Sequence, residues 1–417
     1  MGVIPEDWKI VLLGELAEFI TSGSRGWAEF YSESGALFIR SQNVRDGRLI
    51  FDDTQYVRPP SGAEGNRTKV YRNDLLITIT GNSVGNVALV EHEFDEAYIS
   101  QHVGMVRLHR AELGEYVCRY LSPNSPGNPQ IAGSQSGQSK PGLNLQNLRD
   151  FSIAVPPTFP EQRAIAEALG DVDALLGTLD RLIAKKRDLK QAAMQQLLTG
   201  KTRLPGFRGE WKVKRLGDLF DFSGGYSASR DQLSSEGHRY LHYGDIHGSS
   251  KSYVDADADY QVIPKLDIPL KYVASASFLQ DGDVVFVDAS EDDAGTSKHV
   301  VVVNKDNRPF ISGLHTIVAK SKTHELAHSY RRYCFQTSDV RKQFLFYAVG
   351  TKVSGISKSN IAKLTLAFPG VAEQTAIAGV LIDIDDELVG LEQRRGKTRA
   401  LKQGMTQELL TGRTRLV

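Results

Sequence analysis

The sequence predicts an α+β chain built twice over. Two mixed α/β domains are separated by two long helices, packed together as an antiparallel coiled coil, with the two halves related by a pseudo-twofold axis. Three observations carry this. A stretch of 44 residues recurs without gaps at an offset of 212, with 23 identities between Glu161–Leu204 and Glu373–Leu416. Apolar residues within both copies step by 4, 3, 4, 3, which is the 3.5-residue period of a coiled-coil seam. The stretches between the copies are instead rich in short β-branched runs and Gly-rich polar loops.

The domains follow in chain order. Residues 1–157 form the first variable domain, 158–204 the first repeated helix, 205–369 the second variable domain and 370–417 the second repeated helix. The variable domains share weak anchors. WKIVLLGELAEF at Trp8 matches WKVKRLGDLFDF at Trp211, and GLNLQNLRDFSIAVP at Gly142 matches GISKSNIAKLTLAFP at Gly355. Leu75–Thr80, Asp283–Asp288 and Val300–Val303 read as short buried strands, and Glu112–Leu121 and Glu325–Phe335 as helices. A repeat of this length is a duplicated domain pair rather than a solenoid.

The seam comprises Ile165, Leu169, Val172, Leu176, Leu179 and Ile183 in the first copy. In the second it comprises Ile377, Leu381, Ile384, Leu388 and Leu391. Each helix would be ~57 Å long. Thr158, three residues before Glu161, suits a capping box, and Gly200 and Gly412 suit the C′ position. The second copy has Gly370-Val371-Ala372 in place of the threonine cap. Both helices are acidic first (Asp171, Asp173, Asp180; Asp383, Asp385, Asp386, Glu387) and basic later (Arg181, Lys185, Lys186, Arg187, Lys190; Arg394, Arg395, Lys397, Arg399, Lys402). Antiparallel packing sets acid against base, while parallel packing sets like against like. A solvated helix lying on its own domain is the competing reading.

Composition bounds the function. The 417 residues are 41% hydrophobic and 24% charged, with 38 glycines and 15 prolines, which is the make-up of a soluble globular chain. Cys118 and Cys334 are the only cysteines, too few for a disulfide framework, and read as free thiols of a cytoplasmic protein. The opening MGVIPEDWKI has no basic stretch followed by an apolar core, which argues against a signal peptide. No 18-residue apolar run occurs. Fifty cations balance fifty anions, so an indiscriminate polycation is excluded. Positive charge is nonetheless local: Arg40–Arg72 holds seven Lys/Arg against four acids, and Lys320–Lys363 nine against two. Such patches neutralise phosphates, or else form a salt-bridged surface.

Catalytic signatures are sparse. No phosphate-binding GxxxxGK[ST] loop, dinucleotide fingerprint or amino-methyltransferase Asn-Pro-Pro-aromatic motif occurs. One motif stands out: His324-Glu325-Leu326-Ala327-His328, a literal HExxH. On a helix, imidazoles at i and i+4 bind zinc with the glutamate as general base. A third ligand is missing after His328, and the first half carries Ala111 and Glu115 at the matching places. A surface helix is the expected reading and a zinc hydrolase the alternative.

The repeated segments, PPTFPEQRAIAEAL…LKQAAMQQLLTGKTRLPGF and FPGVAEQTAIAGVL…LKQGMTQELLTGRTRL, resemble those of the specificity (S) subunit of type I restriction–modification enzymes. W-x-x-x-x-L-G-[DE]-L, opening each variable domain, fits as well. The resemblance spans essentially the whole chain. It implies a non-catalytic protein whose variable halves are target recognition domains, each reading one part of a bipartite DNA site, with the helices as a ruler for the gap. It implies docking of two methyltransferase (M) subunits and further restriction (R) subunits. S-adenosylmethionine, ATP and Mg are then expected on the partners and none in this chain. A type IIB-like system with a fused or different enzyme partner is the alternative, as is a coiled-coil assembly protein with no DNA role.

Phosphates take Arg, Lys and Ser, and base edges take Arg, Lys, Asn, Gln and Ser. Loops of the first half that meet both needs hold Ser24, Arg25, Arg40, Gln42, Asn43, Asn82, Gln101, His102, Gln138 and Lys140. Those of the second half hold Tyr226, Arg230, His242, Asp245, Lys298, His315, Lys352 and Lys358.

Overall fold

A computed structural model describes residues 4–416 apart from 24, 46, 60–61, 136–141, 250, 291–297 and 351–353. Two compact units emerge: residues 1–181 with 393–417, and residues 182–392. Each unit therefore holds one variable domain, half of the helix that follows it, and half of the other long helix. The long helices are Phe159–Leu197 and Val371–Leu410. No helix among the described residues is long and apolar enough to cross a membrane.

The first unit is centred on a four-stranded antiparallel sheet in the order Ala17–Ser22, Val103–Leu108, Leu75–Thr78, Val87–Leu89. Its side chains alternate between two cores. Leu75, Ile77 and Val106 face one cluster with Ile165 and Leu169 of the long helix, while Leu76, Val103 and Met105 face another with Ile39 and Ile99. Burial on both faces explains why Leu75, Leu76 and Ile77 are apolar in succession rather than alternating with polar residues. The second unit repeats the scheme around Phe220–Gly224, Thr316–Ser321, Val284–Val287 and His299–Val303, with Tyr253–Asp255 added parallel at the edge. There Val284, Phe286 and Val301 face Ile377 and Leu381, while Val285, Val287 and Val300 face the opposite side.

The weak sequence anchors pair with each other. Lys9–Leu12 runs antiparallel to Ser152–Val155, and Lys212–Arg215 runs antiparallel to Thr365–Phe368. The repeated Glu-Gln pair closes the same joint twice. The amide of Gln162 donates to the Pro156 carbonyl at 2.7 Å and that of Gln374 to the Pro369 carbonyl at 2.8 Å. Buried Glu161 accepts from Arg415, and buried Glu373 from Arg203. The Glu-Gln of one repeat is thus locked by the Thr-Arg-Leu of the other. Gly200 and Gly412 take the left-handed C′ conformation at φ 70° and 71°. A Cβ there would press on Trp211 or Trp8 at 3.2 or 3.0 Å.

Within each unit the helix segments run antiparallel. In the first unit Asp173 pairs with Lys402 at 2.6 Å and Asp180 with Arg395 at 3.1 Å. In the second, Lys190 pairs with Asp385 at 2.6 Å and Arg187 with Glu392 at 2.5 Å. These half-exposed pairs are worth ~0.2–1 kcal/mol each, enough to select orientation rather than to supply the stability. The seam needs one correction. Ile165, Leu169, Ile377 and Leu381 are buried in the domain cores, not between the two helices alone. Leu179, Ile183 and Leu388 are buried mid-helix, and Val172, Leu176, Ile384 and Leu391 are half-buried. The first turn of each helix serves its own domain because Gln162 and Gln374 tie it to the preceding strand. Thr158 caps as expected, accepting from Glu161 N at 3.4 Å, but the Glu161 carboxylate turns to Arg415 rather than closing the box. Without a threonine, the second helix starts at Val371 on the Gly370 carbonyl, which accepts from Gln374 N at 3.1 Å.

Candidate nucleic-acid interface

The two units share a matching pair of parallel strands: Ala36–Ile39 beside Ala97–Ile99 in the first, and His238–Leu241 beside Phe310–Ser312 in the second. Parallel strands end on the same side, so the loops that follow them meet. Ser100 N donates to Ile39 O at 2.9 Å, and Gly313 N donates to Leu241 O at 2.8 Å. The polar loops that the sequence offered are therefore gathered in matching pairs.

The first loop of each pair is a self-capped turn. In the first unit Arg40 N donates to Asn43 Oδ1 at 2.9 Å. In the second, His242 N donates to Asp245 Oδ2 at 3.0 Å. Arg40 and His242 thus hold equivalent positions, as do Gln42 and Gly244, and Asn43 and Asp245. The Arg40 guanidinium pairs with Asp53 at 3.0 Å, and exposed Gln42 reaches the same carboxylate at 2.5 Å. Asn43 is a correction to the expected set. It is buried and spends its amide on the Ile50 and Asp53 carbonyls, so it shapes the turn instead of facing solvent. His242 is also buried, its Nδ1 accepting from Gly244 N at 3.1 Å. Burial holds its imidazole below the ordinary value, the charge of Arg230 adds to this, and Asp245 opposes it.

The second loop of each pair places a histidine just before a central strand. Ile79 N donates to His102 O at 2.9 Å, and Asp288 N donates to His315 O at 3.2 Å, so the two histidines are topological counterparts. Both are exposed. His102 Nδ1 meets Thr80 Oγ1 at 2.5 Å, with Gln101 Nε2 at 3.2 Å from the other ring nitrogen. His315 Nδ1 lies 3.2 Å from Asp288 Oδ1. Its φ of 58° is left-handed, a conformation in which non-glycine residues concentrate at functional turns. Tyr243 stands between the two histidines of the second unit, 4.4 Å from the His242 ring and edge-on to His315 at 5.5 Å.

A third loop joins both clusters at a glycine. Gly23 N donates to Val103 O, and Gly225 N to Thr316 O. A Cβ on either would strike a carbonyl oxygen, 2.2 Å from Ile99 O or 1.8 Å from Gly313 O. This close approach explains Gly23 of TSGSRGW and the second glycine, Gly225, of FSGGYSASR. Arg25 is exposed two residues beyond Gly23, and Tyr226 N donates to Ser312 O at 2.7 Å, three residues before His315. Lys358 opens the short helix Lys358–Ile361 with its ammonium 3.7 Å from the Cβ position of Gly224.

In the second unit Tyr226, Arg230, His242, Asp245, His315 and Lys358 converge. Lys298 lies near them, but its ammonium is tied to the His247 carbonyl. In the first unit the loops of Arg40, Gln42, Gln101 and His102 meet, with Arg25 exposed in the glycine loop and Asn82 exposed in the turn beyond Thr80. Ser24, Gln138, Lys140 and Lys352 lie outside the described residues. Sequence reasoning missed Tyr243, Thr80, Asp53 and Asp288. Only Tyr243, an aromatic inside a polar loop, left a visible signal.

The HExxH motif does not form a metal site. The helix begins at His328, so His324 and His328 share no helix face. Glu325 accepts from Lys214 at 2.6 Å and Lys212 at 3.1 Å, and these lysines hold its carboxyl below the usual range. His328 leans instead toward Asp281 at 3.6 Å. Among the described residues no cluster of three His, Cys, Asp or Glu side chains could hold a metal.

Comparison with known proteins agrees with this architecture. Residues 5–185 and 208–401 each match the family described as the type I restriction modification DNA specificity domain. The putative type I restriction enzyme MjaX specificity subunit of Methanocaldococcus jannaschii is 22% identical over 438 residues, covering 100% of this chain and 96% of that protein. The MjaVIII specificity subunit of the same organism is 22% identical over 445 residues, covering 99% and 94%. The crystal structure of a type I restriction–modification S subunit from M. genitalium superposes with a TM-score of 0.59 at 14% identity, covering 97% of this chain and 96% of that one. A chain from a structural study of type I restriction–modification complex assembly and conformational transition gives 0.57 at 17% identity, covering 98% and 99%. At such identities the structural likeness shows the fold.

Proposed function

Since the chain belongs to the type I restriction modification DNA specificity family, we propose that its two units read two different short sequences forming one bipartite DNA site. The observation that carries this is the matched pair of turns. The backbone hydrogen bonds that frame the turns match in both units, although His315 is left-handed and His102 is not, and Arg40, Gln42 and Gln101 stand where the second unit has His242, Gly244 and Leu314. Equal frames with unequal hydrogen-bonding groups suit two different base sequences.

The chemistry belongs to partners. Two copies of an S-adenosylmethionine-dependent adenine methyltransferase dock on the long helices, and restriction subunits bring ATP and Mg. Leu175, Leu182 and Leu189, at seven-residue spacing on the first helix, are exposed, as are Val380, Val389 and Leu401 on the second. Apolar side chains left open along charged helices favour a protein partner there. With zero net charge, the chain alone binds DNA weakly until a partner contributes. The complex works in the cytoplasm, and the helices fix the gap between the two parts of the site.

Adenine-methylation mapping by single-molecule sequencing tests the reading. A methylation-free host expresses the chain with its cognate methyltransferase, against the methyltransferase alone. A split motif of two short parts with a fixed gap, present only with this chain, is the expected result. Replacing residues 205–369 with those of another family member should change one part only. A type IIB-like arrangement would show the same motif but copurify with a fused nuclease–methyltransferase. No chain-dependent motif despite a soluble complex would refute the recognition role.

A further inference from the structure

Beside the reading loops of the second unit lies a feature that base recognition and partner docking both leave unexplained. The helix Ser338–Tyr347 buries Val340 and Phe344 but turns Phe346 outward, 80% exposed, and Val349 just beyond it is 76% exposed. A large aromatic at that exposure keeps most of its apolar surface in water, with Tyr347 edge-on at 5.1 Å as its ring neighbour. Its surroundings are cationic. Arg341, Lys342, Lys358 and Lys363 lie within residues 338–363 against the single acid Asp339, and none of the four forms an ion pair among the described residues. Elsewhere in this unit Lys212, Lys214 and Lys320 are neutralised by Glu325 and Asp283.

The patch continues the reading surface. Val349 bridges Gly355, with hydrogen bonds of 2.9 and 3.0 Å, and Gly355 pairs with Ala289. Two strand spacings set Val349 about 10 Å from Ala289, the residue after the Asp288 that holds His315. The first unit has nothing comparable: no aromatic residue occurs between Leu121 and Asp150.

We propose that Phe346 and Val349 form an apolar wedge that presses into a base step of the DNA, next to the part of the site read by the second unit. The inference rests on the recognition role proposed above. DNA is the occupant the charge favours, because unpaired cations around an apolar tip match phosphates flanking an unstacked step. At 3.4 Å per base pair along a strand, the step lies roughly three to five base pairs from the base that depends on His315. Distortion is confined to one side of the bipartite site.

The test uses the full chain with its methyltransferase partner and duplexes carrying the mapped motif. 2-Aminopurine is placed at successive positions across and beside the part read by the second unit, leaving out the methylated adenine and its neighbours, because a methyltransferase extrudes that base by itself. The wild type should raise its fluorescence several-fold at one step. The Phe346→Ala/Val349→Ala variant should lose that rise and bind about ten-fold more weakly, with an unchanged Tm, while Phe346→Tyr keeps the rise. No bright step on a motif that is still methylated overturns the wedge, and so does a bright step that survives the double variant. Loss of methyltransferase copurification with unstacking intact overturns it in favour of a protein contact. If no methylation depends on the chain, the recognition reading has failed and the wedge falls with it.

Discussion

Replacing His315 with alanine tests whether it contacts one base of the proposed site. The side chain is 51% exposed, has Asp288 and the edge of Tyr243 as its polar and ring partners among the described residues, and sits on a backbone at φ 58° that alanine also disfavours. Folding stability should therefore change by no more than about 0.5 kcal/mol, as for other surface substitutions. A lost base-edge hydrogen bond costs ~1–3 kcal/mol, about 5- to 150-fold, at a single base position. The assay is competition binding against duplexes substituted one base pair at a time, backed by methylation mapping. One position in one part of the motif should become degenerate and all others keep their preference. His102→Ala should relax one position in the other part, and the double variant should be additive, since the two histidines share no partner. An equal loss on every sequence would make His315 a phosphate contact. A loss spread over both parts of the motif would refute the assignment of one unit to one part.

The long helices should behave differently along their length. Ile165→Ala, in the first domain core, should cost about 2–5 kcal/mol in urea unfolding, whereas Leu189→Ala should leave stability within about 0.5 kcal/mol and weaken methyltransferase copurification. Gly225→Ala should destabilise the second unit by about 1–3 kcal/mol, because its Cβ would lie 1.8 Å from Gly313 O; wild-type stability in thermal unfolding would contradict the packed loop. Burial pushes the Cys118 thiol up to about 12 and raises that of Cys334 as well, so a thiol reagent at pH 8 should label neither until the chain is unfolded. His242 has a folded pKa below its unfolded value near 6.5, so the unfolded state takes up the proton first. Its contribution to stability is complete above about pH 6.5 and declines as pH falls below that value. His242→Asn, which keeps a capping side chain, should flatten that part of the decline between pH 7.5 and 5.5 in urea titrations.

Duplication and fold class were legible because repeated motifs carry recurring local constraints. The glycines at 200 and 412 need positive φ, the Glu-Gln pairs at 161 and 373 close a helix–strand joint, and the helical period follows from buried spacing. The helix direction was legible too, because opposite charges must meet. The loops of the candidate interface were legible as loop polarity alone. Loop polarity did not separate Gln42, which faces solvent, from Asn43 beside it, which is consumed in the turn. It also promoted HELAH, whose spacing matters only on a helix that in fact starts at His328.

What the sequence alone determined is what depends on near neighbours or strict periods: two domains, two long helices, their opposed charges, and loops free to bind. What the tertiary structure decided depends on contacts between distant segments. Only the parallel pairing of Ala36–Ile39 with Ala97–Ile99, and of His238–Leu241 with Phe310–Ser312, brings loops some 60 or more residues apart onto one surface and makes His102 and His315 counterparts. Only the folded joint pairs Glu161 with Arg415 across the whole chain. No local propensity encodes such pairs, because their free energy arises from burial and hydrogen bonding that exist only once the cores have closed.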